Sequence, residues 1–197
     1  MKELTSRERI GRLFAHQDAD RVAIWEAAWG STLARWRAEG MDGDPVDAFG
    51  MDRIVLLYDL DTSPRLPEET LEETDEQRTY RSNWGTTLRN WKRRESVPEF
   101  VAPAMRGPDD WPAIRDRLQP DDARIPWARL KAEWPRWREA GAWIMFSGWF
   151  GFDVTHSKVL GTEESLVALL EDPAWLVEVW QAQLDLNLAL LDRVWEA

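Results

Sequence analysis

Apolar positions in the first part of the chain recur at helical spacing: Ile10, Leu13 and Phe14 follow a Thr5/Glu8 capping box, which predicts an amphipathic helix over 6–16. RVAIWE at 21–26 reads as a short strand, and Ser31 is placed to cap a helix that carries Leu33 and Trp36 and stops at Gly40. Asp44 followed by Pro45 predicts a helix of one to two turns closed by Gly50. Then comes the unbroken apolar run Ile54 to Leu57, the pattern of a parallel strand buried on both faces. Residues 63–100 are charged and rich in threonine and turn formers, which predicts a β-hairpin or a small three-stranded insertion. Two helices follow, over 108–118 and 123–139. The second starts after Pro126 and kinks or splits near Pro135. Gly141 releases the chain into a third strand, 142–147. Thr162 caps a helix running to Glu171, and Asp172 with Pro173 starts another with the stripe Leu176, Trp180, Leu184, Leu188, Leu191 and Trp195.

Strands alternating with helices predict an α/β fold with parallel pairing. Three parallel strands do not close a (β/α)8 barrel, which needs eight, and they leave bare sheet edges. The expectation is one domain over 1–197 forming the front portion of something larger, interrupted by the insertion at about 63–100. Such a chain would form a homo-oligomer or pair with the remainder of the fold.

Composition narrows the classes. The chain has 36 acidic and 25 basic residues, a formal charge of −11, which repels phosphate backbones and anionic membrane surfaces. The basic run RNWKRR at 89–94 could suggest a polyanion contact, but beside an acidic tract it reads first as a solvated hairpin face. No cysteine is present, so disulfides, thiolate metal ligands and cysteine nucleophiles are excluded within these residues. The charged N-terminus lacks an apolar signal core, and AWIMFSGWFGF at 142–152 is too short to span a bilayer, so the expected compartment is the cytoplasm. Fourteen tryptophans scatter without a period, and the expectation is that most fill core and interface positions.

Three stretches resemble the uroporphyrinogen decarboxylase superfamily, which includes methylcobamide-dependent methyltransferases. TSRERIGRLFAHQDADRVAIW looks like that family's opening helix and first strand, FGMDRIVLLYDL like its second strand, and GFDVTHSKVLGTEESLVALLEDP like the segment after its third. The resemblance covers nearly the whole chain. It implies the N-terminal part of a distorted (β/α)8 TIM-type barrel with a β-hairpin insertion, incomplete in this chain. It also implies a catalytic role for Asp59, which aligns with the aspartate the decarboxylases carry at the end of the second strand. A carboxylate in a low-dielectric cleft can accept pyrrole N–H bonds and stabilise developing positive charge.

One departure redirects the expected activity. The decarboxylases bind their polyanionic tetrapyrrole with an arginine-rich segment after the first strand, where WEAAWGSTLARW stands here without that cluster. Each lost charge-assisted contact is worth about 1.5–3 kcal/mol. The expected branch is therefore the methyltransferase-like one, with a corrinoid carrier as methyl partner and a zinc site whose histidine and cysteine ligands lie in the family's later barrel half, outside these residues. Tetrapyrrole decarboxylation without metal or organic cofactor in porphyrin biosynthesis is the alternative, and a non-catalytic partial barrel acting with a partner chain is another. Candidate substrate-binding residues beside Asp59 are Glu26 at the predicted end of the first strand, Asp61 on the same strand face as Asp59, and Asp153 and His156 in FDVTHSK, the region where the family contacts ligand. No metal ligand is assigned within this chain, and His16 is a weaker candidate.

Overall fold

The computed structural model describes residues 3–197, and the chain divides into two compact units. The first comprises the N-terminal segment to Asp59 together with Pro126–Ser147; the second comprises Leu60–Ile125 and Gly148–Ala197. The architecture is mixed α/β. It contains a two-stranded parallel sheet and a four-stranded antiparallel sheet, and the described residues form no closed barrel.

In the first unit, helix α1 (Ser6–Phe14) begins with the predicted capping box, Thr5 Oγ1 accepting from Glu8 N at 3.2 Å and a Glu8 carboxylate oxygen accepting from Thr5 N at 2.9 Å. Helix α2 (Gly30–Ala38) starts earlier than expected, with Trp29 and not Ser31 at the N-cap. Helix α3 (Pro45–Ala48) follows the predicted Asp44 cap, whose side chain accepts from Val46 N. Strand β1 (Ile54–Leu57) pairs in parallel with β6 (Trp143–Phe146) in the register Ile54 to Trp143 through Leu57 to Phe146. Between these strands in sequence, helix α5 (Trp127–Glu139) runs on as one helix through Pro135, without the predicted split.

The strand predicted at 21–26 does not form. Ile24 exchanges one reciprocal pair of bonds with Asp52: its N–H donates to the Asp52 carboxylate at 2.9 Å and its carbonyl accepts from Asp52 N at 2.6 Å. No ladder extends from that point, and Val22, Ile24 and Trp25 stay exposed. Its absence leaves a parallel pair where three parallel strands were expected. The run IVLL is consequently not buried on both faces, since only Leu57 is fully covered.

A buried ion cluster anchors this unit. The Arg9 guanidinium pairs with Asp52 and donates to Asp20 at 2.7 and 2.8 Å and to the Leu4 carbonyl at 2.7 Å, while Arg21 reaches the second Asp52 oxygen at 2.7 Å. Every charged group in the cluster meets an opposite charge, the condition under which such groups are found inside proteins.

The second unit opens with an antiparallel meander: β2 (Glu69–Glu73), β3 (Gln77–Arg81), β4 (Thr87–Trp91) and β5 (Glu99–Ala102) in sequential order. The insertion thus has four strands, one more than the largest form predicted. Its remaining helices are α4 (Trp111–Arg115), the short α6 (Phe152–Val154) leading into a π-helical turn at Thr155–Val159, α7 (Thr162–Glu171, with Gly161 and not Thr162 at the N-cap) and α8 (Pro173–Glu196). The buried face of α8 is Trp175, Leu176, Val179, Gln183, Leu186, Asn187 and Leu190, rotated from the predicted stripe, with Leu188 and Trp195 exposed. The two polar residues on this face meet backbone groups: Gln183 accepts from Gly151 N at 2.8 Å, and Asn187 donates to the Trp149 carbonyl at 3.3 Å.

Tryptophan use also departs from expectation. Only Trp111 and Trp175 are buried, whereas Trp25, Trp29, Trp91, Trp134, Trp149 and Trp195 are exposed. Several instead carry cations on their rings: Lys131 over Trp127, Arg138 over Trp134 and Arg94 over Trp91. Such pairs stabilise a half-exposed indole without burying it. Among the described residues no helix is long and apolar enough to cross a membrane.

Candidate functional site

Parallel pairing brings the carboxyl ends of β1 and β6 to the same level, with Leu57 opposite Phe146 and Ser147 N donating to the Leu57 carbonyl at 3.0 Å. The ladder ends there. Asp59 follows two residues later, beyond the last strand residue, where side chains are freed from the ladder but still positioned by it.

The first turn of α5 supplies its partner. Arg129 forms an ion pair with the Asp59 Oδ2 atom and also donates to Glu133 at 3.3 Å, and its guanidinium lies 5.7 Å from the Trp137 ring centroid. Partial burial works against the Arg129 charge, but the Asp59 hydrogen bond and the two neighbouring carboxylates outweigh it, so its pKa is raised above the ordinary arginine value. The arginine remains cationic and fixes one edge of the Asp59 carboxylate.

The other edge has no partner among the described residues. Asp59 Oδ1 on that edge is buried, although the side chain as a whole is 25% exposed. A buried carboxylate oxygen without a donor is rare and costs free energy unless something else completes it. Chemically it is an acceptor suited to an N–H or O–H group, on a carboxylate whose other oxygen is bonded to a guanidinium.

The other candidates lie elsewhere. Glu26 falls in the exposed segment that forms no strand, so the predicted strand-end position is lost. Asp61 does not share a strand face with Asp59, because β1 has already ended at Leu57. Its carboxylate accepts from Ser63 N at 3.1 Å, from Ser63 Oγ at 2.6 Å and from Arg65 Nε at 2.6 Å. Burial alone would raise the Asp61 pKa, but Arg65 and Ser63 pull it below the usual value. That closed turn extends to Arg124, which donates to the carbonyls of Asp61, Ser63, Arg117 and Gln119. Asp61 therefore works as a staple in the second unit.

Asp153 and His156 are neighbours on α6 and the π-helical turn. Their side chains approach to 3.5 Å, His156 Nδ1 lies 3.2 Å from Thr162 Oγ1, and the imidazole stacks on Phe152 at 5.0 Å. A π-turn at such a place is a feature often associated with function. His16 has a positive φ of 54° at the end of α1, which gives it a conformational role.

Sequence reasoning missed Arg129. It sits on a helix predicted only for its shape, and nothing in WARLKAEW marks one cation as the partner of an acid 70 residues away. No group of three or more histidine and acidic residues among the described positions could hold a metal ion. In comparisons with protein families, curated proteins and solved structures, no match to this chain was found.

Proposed function

We propose that the chain is part of an enzyme of the uroporphyrinogen decarboxylase superfamily, of the methyltransferase-like type, in which Asp59 receives a substrate N–H donor during methyl transfer involving a corrinoid. The reading rests on the unpartnered Oδ1 of Asp59 beyond the β1 carboxyl end, on a carboxylate paired through Oδ2 with Arg129. Peripheral carboxamides of a corrin ring are N–H donors of the kind such an oxygen accepts. The three sequence resemblances and the β1–β6 parallel pairing support the same assignment.

The thiolate-containing zinc set of that branch does not fit these residues, because the chain has no cysteine and no suitable cluster among the described positions. The role proposed for this chain is therefore to bind and orient. Arg129 keeps the Asp59 carboxylate aligned, and Asp59 directs the donor-bearing partner to the strand mouth.

The test is to incubate the purified protein with methylcobalamin and a small alkyl thiol and follow both the corrinoid spectrum and methyl-thioether formation. A saturable spectral change that weakens in Asp59→Asn supports the proposal. An unperturbed corrinoid spectrum overturns it, and decarboxylation of uroporphyrinogen by the same protein would move the site to the tetrapyrrole reading.

A further inference from the structure

The antiparallel meander carries a concave feature that does not involve Asp59. An open cleft of about 280 Å³ is lined by Glu76, Trp91, Arg93 and Arg94. Its walls come from the β2–β3 turn and from the chain leaving β4.

The three consecutive bases after Trp91 divide by what they touch. Lys92 is engaged in holding the turn: its ammonium pairs with Glu73 at 2.9 Å and donates to the Thr74 carbonyl at 3.0 Å, while its backbone N–H donates to the Glu76 carbonyl at 2.8 Å. Thr74 closes the same turn, its N–H donating to the Gln77 carbonyl at 2.9 Å and its Oγ1 accepting from Gln77 N at 3.0 Å. These bonds tie the β2–β3 turn to the end of β4. Arg93 and Arg94, by contrast, form no ion pair with any described residue, in a chain whose net charge is −11.

The Arg94 guanidinium carbon lies over Trp91, 4.4 Å from the ring centroid. Stacking covers the face of a guanidinium and leaves its N–H edge free to fork onto a carboxylate or phosphate. Trp91 remains 41% exposed, so an aromatic surface lies beside two guanidinium forks with no ion-pair partner among the described residues. Glu76, which also lines the cleft, repels a long polyanion and can accept a hydroxyl or N–H.

We propose that this cleft binds a small aromatic anion, its ring against Trp91 and its phosphate or carboxylate on Arg93 and Arg94. The cleft volume suits one ring and one anionic group, and the acidity of the chain disfavours a nucleic-acid strand.

Isothermal titration of the full chain with phenyl phosphate, benzoate and inorganic phosphate tests the site. The expected result is saturable binding of at least one aryl anion, weakened about tenfold or more in Arg93→Gln/Arg94→Gln, the effect of losing charge-assisted bonds. Trp91→Leu should weaken the aryl ligands and leave inorganic phosphate unchanged. Glu76→Gln should tighten binding severalfold, and Arg89→Gln, which removes a cation already paired with Glu99 on the same sheet, should leave it unchanged. Tighter phenyl phosphate identifies a phosphate ester as the natural class, and tighter benzoate a carboxylate. No saturation by either aryl anion up to about 10 mM, or equal weakening by Arg89→Gln and by the double variant, overturns the proposal.

Discussion

The buried Arg9 guanidinium and the fully buried Asp52 carboxylate form an ion pair that ties helix α1 to the residue two positions before β1. Asp52 also receives Arg21 and the Ile24 N–H, so one carboxylate organises three segments of the first unit. Replacing it removes one of the two counter-charges of the buried Arg9 guanidinium, leaving Asp20 alone to balance it. Asp52→Asn is expected to destabilise the protein by about 3–5 kcal/mol, read from the midpoint of urea unfolding.

The same cluster sets an acid limit. Burial would raise the Asp52 pKa, but the Ile24 N–H and the two arginines more than offset it, and the Arg9 hydrogen bond together with the Leu4 N–H lowers Asp20. Both carboxylates are thus depressed in the folded chain relative to the unfolded one. Their stabilising contribution is fully present above the ordinary carboxylate range near pH 4 and is lost as pH falls below it toward the folded values. Thermal midpoints should be flat with respect to these groups from pH 5 to 7 and decline below about pH 4. In Asp52→Asn that acid slope should be shallower.

Gln183 on α8 makes a different kind of bond. Its side chain accepts from the Gly151 N–H, the residue that leads into α6. Gln183→Leu suits an apolar helix face by pattern, yet it leaves that N–H without its acceptor. The expected loss is about 1–3 kcal/mol, with increased hydrogen exchange at Gly151 as the local readout.

Gly141 has a φ of 61°, and a Cβ at this position would sit 2.8 Å from the Thr5 Cβ. Its carbonyl accepts from Arg7 N at 2.9 Å. Gly141→Ala therefore strains the backbone and presses on the residue that caps α1. A loss of about 1–3 kcal/mol in equilibrium unfolding is expected.

Asp59 should behave in the opposite way. It is partly exposed and paired with a partly exposed arginine, so Asp59→Asn should change stability by less than about 1 kcal/mol. If it binds the substrate donor as proposed, the saturable corrinoid spectral change weakens in that variant while the unfolding midpoint holds. A loss of stability comparable to Asp52→Asn would mark it as structural.

Much of the local structure was legible because it depends on neighbouring residues. The Thr5/Glu8 box, the Asp44 and Asp172 caps, the turns at Gly50 and Gly141 and the IVLL strand are all specified within a few positions. What escaped depends on distant partners. RVAIWE has strand composition, but a strand needs a ladder, and only Ile24 finds a partner beside β1. On α8 the predicted apolar stripe runs through Leu184 and Leu188, whereas the buried face carries Gln183 and Asn187, whose bonds to Gly151 and Trp149 are not readable from the stripe. For the candidate site, Asp59 could be singled out from its place after an apolar strand, whereas its pairing with Arg129 is a tertiary fact.

The order in which the sheets can assemble follows from their connectivity. The meander pairs strands that are neighbours in sequence, so each closes a short loop at small entropic expense. β1 and β6 must find each other across about 90 residues. If the meander forms first, it shortens the effective chain between them, and parallel pairing becomes the late step. Substitutions confined to β3 or β4 would then slow the appearance of a sheet to which those strands do not belong.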